Sequence, residues 1–253
     1  MITSATPPAQ QAEFARRIAG KPYFAAVMGT ALTLFGQKPG SGWSFYLYPC
    51  GALALRGGTA TLCGAQPDAD TAEELQSFLQ FVRADRVVSE TKLPFGSETP
   101  PLTLWKLPKG CTLPLPPNPP AALTLTEQPA MLPVSRLAFA DEAEADAFYS
   151  AACTAMAHGI GCCHALLHNG APVCAVGCYS QSKTESYMSA GITAPAWRGR
   201  GLAGWLIVRM ANGLTQQRDA AFACEETLNA FYRRLGFTQN GIIQQYITDW
   251  NTL

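Results

Sequence analysis

The segment WRGRGLAGWL, from Trp197 to Leu206, determines how the rest of the chain is interpreted. Arginine and glycine alternate over positions 198–201, immediately before an apolar helical repeat that begins at Leu202. Glycine adopts backbone conformations that other residues resist, and it carries no Cβ to obstruct a ligand. A helix N-terminus presents unpaired N–H groups and a positive dipole end. The segment is therefore typical of a loop that binds phosphate groups.

The elements around this loop predict a mixed α/β unit. Its apolar spacing gives a helix through Leu214, and a strand at about Ser186 to Thr193 precedes it. The other predicted elements are a helix Asp141–Ala157, strands Cys163–His168 and Val173–Tyr179 around the Asn169-Gly170 turn, a strand Ala220–Cys224, a helix Asn229–Leu235 and a strand pair around Gly241. Hairpins combined with strand–helix alternation favour a mixed, mostly antiparallel sheet flanked by helices.

The first half of the chain shows similar patterns without an arginine-glycine loop. We predict helices at Gln10–Ala19 and after a Thr71 cap, and strands at Ala31–Phe35, Trp43–Tyr48, Ala52–Arg56, Thr59–Cys63 and Arg86–Ser89. No group of catalytic side chains is apparent there from spacing.

Proline marks the predicted boundary between the halves. Nine of the 19 prolines fall between Pro94 and Pro120, and proline is unsuited to helix interiors and central strands. We therefore expect an N-terminal domain at 1–93, an extended linker at 94–122 and a C-terminal domain at 123–253.

Composition excludes several classes of protein. The chain has 18 basic and 18 acidic side chains, so it lacks the basic excess expected of a nucleic-acid-binding protein. Hydrophobic residues make up 48%, too many for a disordered chain. No apolar run reaches the roughly 18 residues of a membrane span, and the N-terminus does not resemble a signal peptide. We expect a cytoplasmic protein with no nucleic-acid or membrane partner.

Cysteine and histidine cluster at His158, Cys162, Cys163, His164 and His168. The cluster has no C-x-x-C knuckle, and adjacent cysteines in a strand point to opposite faces. Nine cysteines are an odd number, which does not indicate a disulfide framework. We expect no metal site and interpret these residues as strand thiols and surface histidines.

Gly199–Gly204 also matches the G-x-G-x-x-G fingerprint of dinucleotide-binding proteins, with Glu225 and Glu226 after the next strand. Four residues, 194–197, separate the preceding strand from Arg198, whereas in that fold the first glycine follows its strand almost directly. Only 28 residues follow Glu225, too few to complete a doubly wound sheet. An oxidoreductase of this class is thus the weaker alternative.

Two linked motifs resemble the GNAT superfamily of N-acetyltransferases. Arg198-x-x-Gly201-x-Ala203 is similar to its pyrophosphate loop, and the helix from Asn229 through Tyr232 to Phe237 is similar to a later family helix. The resemblance extends from about Leu123 to the C-terminus. The first half resembles a degenerate copy, which implies two tandem GNAT-like units.

The resemblance implies acetyl-CoA as acyl donor and an amine as acceptor, with no metal. The implied coenzyme-binding residues are Gly191, Ile192, Thr193, Arg198, Gly199, Arg200, Gly201, Leu202, Ala203, Asn229 and Tyr232. In the family, the strand at Gly191–Thr193 holds the pantetheine arm and polarises the thioester carbonyl, and the tyrosine matching Tyr232 protonates the departing thiolate.

The general base stays open between Glu185, at the head of that strand, where some family members place a catalytic glutamate, and Glu226, after the next strand. A base is needed because amines are protonated at neutral pH. The predicted function is transfer of an acetyl group to an amine, with a non-catalytic CoA-binding or regulatory module as the alternative. The sequence identifies neither the acceptor nor the oligomeric state.

Overall fold

The computed structural model describes residues 1–250 of the chain. It divides into two compact units. The first comprises Met1–Trp105, Ala223–Ala230 and the chain from Gln239 onward, and the second comprises Lys106–Phe222 and Phe231–Thr238. The limits predicted at residues 93 and 122 do not coincide with this division. No helix in the described residues is long and apolar enough to cross a membrane.

Helices and strands occur along the whole described chain. The first part contains β1 (Thr3–Ser4), α1 (Pro8–Ile18), α2 (Phe24–Phe35), β2 (Trp43–Tyr48), β3 (Gly51–Arg56), β4 (Thr59–Gly64), α3 (Ala69–Phe81), β5 (Arg86–Ser89) and β6 (Ser97–Leu107). It continues with β7 (Thr124–Thr126), α4 (Met131–Ala138), α5 (Glu142–Ala157), β8 (Cys162–His168), β9 (Ala171–Gln181), β10 (Glu185–Thr193), α6 (Leu202–Leu214), β11 (Asp219–Cys224), α7 (Asn229–Leu235) and β12 (Thr238–Ile247).

In the first unit the strand order is β1-β2-β3-β4-β5-β12-β6. β2, β3 and β4 are antiparallel, whereas β4 and β5 run parallel and are connected through α3. The apolar face of α3, with Leu75 and Leu79, packs against Leu53, Leu62 and Val87 of the sheet. Helix α1 contacts β2, β3 and β4, and helix α2 contacts β2 and β4.

The second unit repeats this arrangement with strand order β11-β10-β9-β8-β7. β8, β9 and β10 are antiparallel, and β10 runs parallel to β11 through α6. On one face, Met131 and Val134 of α4 and Ala152 of α5 pack against the sheet, while α6 contacts β8, β9 and β10. In each unit one helix, α3 or α6, connects two parallel strands, as expected for a βαβ connection.

The predicted hairpin turn at Asn169-Gly170 is confirmed, and Gly57-Gly58 forms a second turn of the same kind. Gly57 and Gly58 have φ values of 50° and 77°, and Asn169 and Gly170 have 50° and 80°. A two-residue hairpin turn of type I′ requires positive φ at both central residues, and its twist matches that of the flanking strands.

Two predictions in the first half are wrong. The strand expected at Ala31–Phe35 is the second half of α2. Seven of the twelve α2 residues are buried, so apolar side chains surround the helix and the helical period is obscured. Thr71 is not the cap of α3, because Asp68 is the N-cap and accepts a hydrogen bond from the Thr71 N–H at 2.8 Å.

The proline-rich stretch and the C-terminus also differ from expectation. β6 lies inside the stretch expected to be a linker, with Pro100 and Pro101 in its exposed first half and Thr103–Trp105 buried in its second half. The strand pair expected around Gly241 is one long strand, β12, which runs through Gly241. The elements α4, β1 and β7 were not predicted from the sequence.

Candidate active site

Strands β10 and β11 separate along their length. Their parallel pairing runs from Glu185–Asp219 to Tyr187–Ala221, and no later pair is formed within the described residues. β10 stays paired with β9 as far as Thr193, with register shifts after Tyr187 and after Ser189. The edge of β10 beyond Tyr187 therefore faces a gap, which we call the β10–β11 gap, where its backbone groups are available to a ligand.

The loop that follows β10 depends on its glycines. Gly199 and Gly201 both have φ of 75°, in the left-handed region that side chains with a Cβ disfavour. A Cβ added at Gly191, Gly199 or Gly201 would meet no heavy atom within 4 Å. Conformation thus requires glycine at 199 and 201, and open space borders the backbone at all three positions.

Helix α6 begins directly at this loop without a side-chain cap. Gly201 occupies its N-cap position, and its first turn carries no acidic residue. By contrast, Asp68 caps α3, and Asp141 caps α5 by accepting from the Glu144 N–H at 2.9 Å. The first N–H groups of α6, from Leu202 to Gly204, have no partner within the helix. An anion at this end would find both donors and a favourable dipole.

Both loop arginines are exposed and each is anchored to the loop itself. The Arg198 Nε donates to the Thr193 carbonyl at 3.1 Å. The Arg200 Nη2 donates to the Ala196 carbonyl at 3.2 Å, and its guanidinium lies 4.7 Å from the centre of the Trp197 ring. Two cationic groups are therefore held beside the uncapped end of α6, and Arg200 does not simply extend into solvent.

Tyr232 stands beside the start of the gap. Its half-buried ring packs on Phe222 with centroids 4.3 Å apart, and Phe237 packs edge-on against Phe222 at 4.9 Å. Phe222 is the first residue of β11 beyond the last paired residue, Ala221. Aromatic packing therefore places Tyr232 where β11 separates from β10.

The two candidate bases occupy different environments. Glu185, at the start of β10, is buried, with only 6% of its surface exposed. It lies two residues before Tyr187, where the gap opens, and roughly 20 Å along the strand from Gly191. Glu226 is exposed on a short 3-10 turn of the first unit.

Asn229 is engaged by neighbours in its own unit. Its Oδ1 accepts from the Trp105 indole N–H at 3.1 Å and from the Cys224 thiol at 3.5 Å. Its Nδ2 donates to the Thr103 hydroxyl at 3.1 Å. These contacts hold the Asn229 amide against β6 and Cys224 within the first unit.

The structure thus brings together, within the second unit, the β10 edge, the arginine-glycine loop, the end of α6 and Tyr232. Glu226 and Asn229 belong to the first unit. Sequence reasoning did not identify Phe222 or the tilted stack of Trp197 on His168, with centroids 4.8 Å apart. The aromatic residues were visible in the sequence, but their partners are distant along the chain.

Four members of the cysteine-histidine cluster, Cys162, Cys163, His164 and His168, are distributed over both faces of β8, whereas His158 is the C-cap of α5. Among residues 1–250, no group of three or more His, Cys, Asp or Glu side chains is arranged to hold a metal ion. The dinucleotide-binding alternative requires an open, mainly parallel sheet, whereas β8, β9 and β10 are antiparallel. That alternative is inconsistent with the fold.

The whole chain resembles solved structures of acetyltransferase fold. A tandem GNAT protein from the clavulanic acid biosynthesis pathway matches with a TM-score of 0.63 at 16% identity, over 98% of this chain and 99% of its own. A GCN5-related N-acetyltransferase-like protein from Streptococcus suis 89/1591 gives 0.62 at 16% identity, over 95% and 99% of the two chains. A GCN5-related N-acetyltransferase from Sphaerobacter thermophilus gives 0.61 at 14% identity, over 97% and 95%.

These matches show that the chain has the GNAT fold, and the tandem protein matches both units. The predicted fold class, a mixed sheet in two tandem GNAT-like units, is therefore confirmed. No protein-family model matches the sequence, and no curated protein matches it.

Proposed function

We propose that this protein is an acetyl-CoA-dependent N-acetyltransferase whose chemistry lies in the second unit. The observation that carries the proposal is the β10–β11 gap ending at an uncapped helix beside two arginines. The GNAT fold supports acyl transfer in general, and the donor, the acceptor class and the residues below are inferences from this geometry.

The residues present fit coenzyme A. Its pyrophosphate would accept hydrogen bonds from the N–H groups of Gly201 to Gly204, at the positive end of α6. Arg198 and Arg200 would add charge-assisted contacts. The exposed edge of β10 at Gly191–Thr193 would bind the pantetheine arm, because amide groups of that arm can pair with a free strand edge.

The acetyl end would then extend along β10 toward Tyr187, where the strands meet and Tyr232 stands. This placement follows from the departing thiolate, which must lie within hydrogen-bond reach of its proton donor. A backbone N–H of β10 would stabilise the oxyanion that forms as the amine attacks, which is a large contribution in acyl transfer.

Proton removal from the amine is assigned to Glu185. It is two residues from Tyr187, close enough to act directly or through one water on a group near the start of the gap. A thioester carbonyl held at Gly191 would lie roughly 20 Å along the strand from Glu185, too far for either contact. Glu226 is exposed and belongs to the first unit. Nitrogen attack releases free CoA, and Tyr232 supplies the proton to its sulfur.

Calorimetric titration with acetyl-CoA tests the binding step. Wild type is expected to bind, and Gly201→Glu is expected to abolish binding because a carboxylate would occupy the anion site. Gly159→Glu is the matched control, since Gly159 also has positive φ, 68°, and no atom within 4 Å of an added Cβ. Equal losses in both variants, or no binding by wild type, would refute the loop assignment.

Tyr232→Phe separates an enzyme from a non-catalytic CoA-binding module. The substitution keeps the ring that packs on Phe222, so the affinity for acetyl-CoA should be unchanged. If Tyr232 is the acid, release of CoA thiol with a competent amine should fall by about 100-fold or more. An unchanged rate would remove the proposed acid, and no thiol release by wild type across primary amines, peptides and aminoglycosides would favour the binding module.

A further inference from the structure

Cys162 and Cys178 face each other across β8 and β9. They are directly opposite in the antiparallel register, where Cα atoms lie about 4.5 to 5.5 Å apart. A disulfide requires roughly 4.4 to 6.8 Å between Cα atoms. The backbone therefore needs no large movement to accommodate a disulfide at this position.

The two thiols differ in access and in acidity. Cys162 is half-buried, whereas Cys178 is completely buried. Interaction with Cys178 lowers the pKa of Cys162, whereas interaction with Cys162 together with burial raises the pKa of Cys178. Because the thiolate is the reactive form, Cys162 is the thiol that meets a reagent first and Cys178 is its buried neighbour.

Neighbouring cysteines lack this arrangement. Cys163 follows Cys162 in sequence but faces the opposite side of β8, where it is buried against α4 and α5 and lies opposite Gly177. Cys174 lies opposite Leu166, and its thiol contacts the Thr193 hydroxyl at 3.2 Å. A reagent that enters at Cys162 therefore has one thiol, that of Cys178, placed directly across the strands.

We propose that Cys162 and Cys178 form a redox-active dithiol that low-molecular-weight disulfides, such as oxidised glutathione, convert into a cross-strand disulfide. The Cys162 thiolate attacks one sulfur of the external disulfide, forms a mixed disulfide and expels one thiolate. The Cys178 sulfur loses its proton, attacks the Cys162 sulfur and expels the second. Two electrons leave the protein and reduce one external disulfide to two thiols.

Strand β9 connects the dithiol to the β10–β11 gap, because Cys178 lies on β9 and β9 pairs with β10. Cys178 is also in register with Met188 of β10, and the register of β9 with β10 shifts between Tyr187 and Met188. A disulfide would join β8 to β9, and β9 pairs with β10 where the β10–β11 gap opens. The site itself is independent of any acetyltransferase activity.

The test uses the full-length protein and needs no acetyl-CoA. The protein is incubated with oxidised glutathione, quenched in acid, alkylated with N-ethylmaleimide under denaturing conditions and digested with pepsin for mass spectrometry. The expected result is a linked peptide pair containing Cys178 and the Cys162-Cys163 dipeptide. Of the nine thiols, those of Cys162 and Cys178 should be protected from alkylation by this link. Fragment ions that break the 162–163 bond identify the bridged residue without any substitution.

Variants then test the pairing. Cys163→Ser should retain the linked peptide, and Cys162→Ser should lose it. Exposed Cys111 serves as an internal reagent control, because it should acquire glutathione in every sample. Glutathionylated Cys111 in wild type without the 162–178 link, or a link that persists in Cys162→Ser, would overturn the proposal.

Discussion

Replacing Asn229 by alanine should destabilise the protein even though the residue is only half-buried. The substitution removes two hydrogen bonds of 3.1 Å, to Trp105 and Thr103, and a thiol contact of 3.5 Å from Cys224. Trp105 is 1% exposed and Thr103 is 8% exposed, so water cannot readily replace the lost partner.

The magnitude follows from what each buried group loses. Removing one partner of a buried polar group costs about 1 to 3 kcal/mol, and a typical hydrogen bond contributes about 0.5 to 1.5 kcal/mol net. Asn229→Ala should therefore lower the free energy of unfolding by about 2 to 4 kcal/mol. Glu226→Ala, three residues earlier and exposed, should change it by less than about 0.5 kcal/mol.

Urea titration followed by tryptophan fluorescence and far-UV circular dichroism measures both values. Thr103→Val provides a double-mutant cycle, because its coupling to Asn229→Ala should be about 1 kcal/mol. A loss for Asn229→Ala as small as that for Glu226→Ala, with no coupling to Thr103, would refute the structural role. It would instead favour the coenzyme-binding role that the resemblance implies.

Three other sets of substitutions test the roles assigned to Glu185, Tyr232 and Asp68. Glu185→Gln should lower kcat/KM for acetyl transfer by about 100-fold or more, whereas Glu226→Gln should leave it within about twofold; the reverse order would exchange the bases. Tyr232→Phe should reduce kcat without raising KM for acetyl-CoA, and a rise in KM alone would make the hydroxyl a binding group. Hydrogen bonds from Thr71 lower the pKa of Asp68 below its ordinary 3.8, so its charge stabilises the fold above that pH and the benefit disappears as pH falls through the lowered pKa. The stability difference between wild type and Asp68→Ala should accordingly shrink in acid, and a pH-independent difference would contradict the charged cap.

The second unit was predictable because its local signals agree with its fold. The glycines of the loop have the positive φ that only glycine readily adopts, and α6 shows an amphipathic repeat that starts at the predicted residue. α2 was not predictable in the same way. Its Ala-Leu-Thr-Leu-Phe ending alternates like a strand, and only packing on the sheet in the first unit makes it helical.

Site geometry depended on contacts between distant residues. Nothing local to Asn229 indicates that its amide pairs with Thr103 and Trp105, more than 120 residues away. The point where β10 leaves β11 is set by strand register and not by any motif. The opposing thiols of Cys162 and Cys178 likewise follow from the β8–β9 register. That register shifts by one residue between Leu166 and Leu167, so the Asn169-Gly170 turn alone does not predict the pair.

Amide hydrogen exchange with and without acetyl-CoA tests the central claim most directly. The account predicts that acetyl-CoA slows exchange at Gly191–Thr193 and Gly199–Gly204, along the gap edge of β10 and at the start of α6. The N-terminus of α3, where Asp68 already occupies the cap, should be unaffected. Protection at α3 without protection at Gly199–Gly204, or no change at saturating acetyl-CoA, would contradict the account.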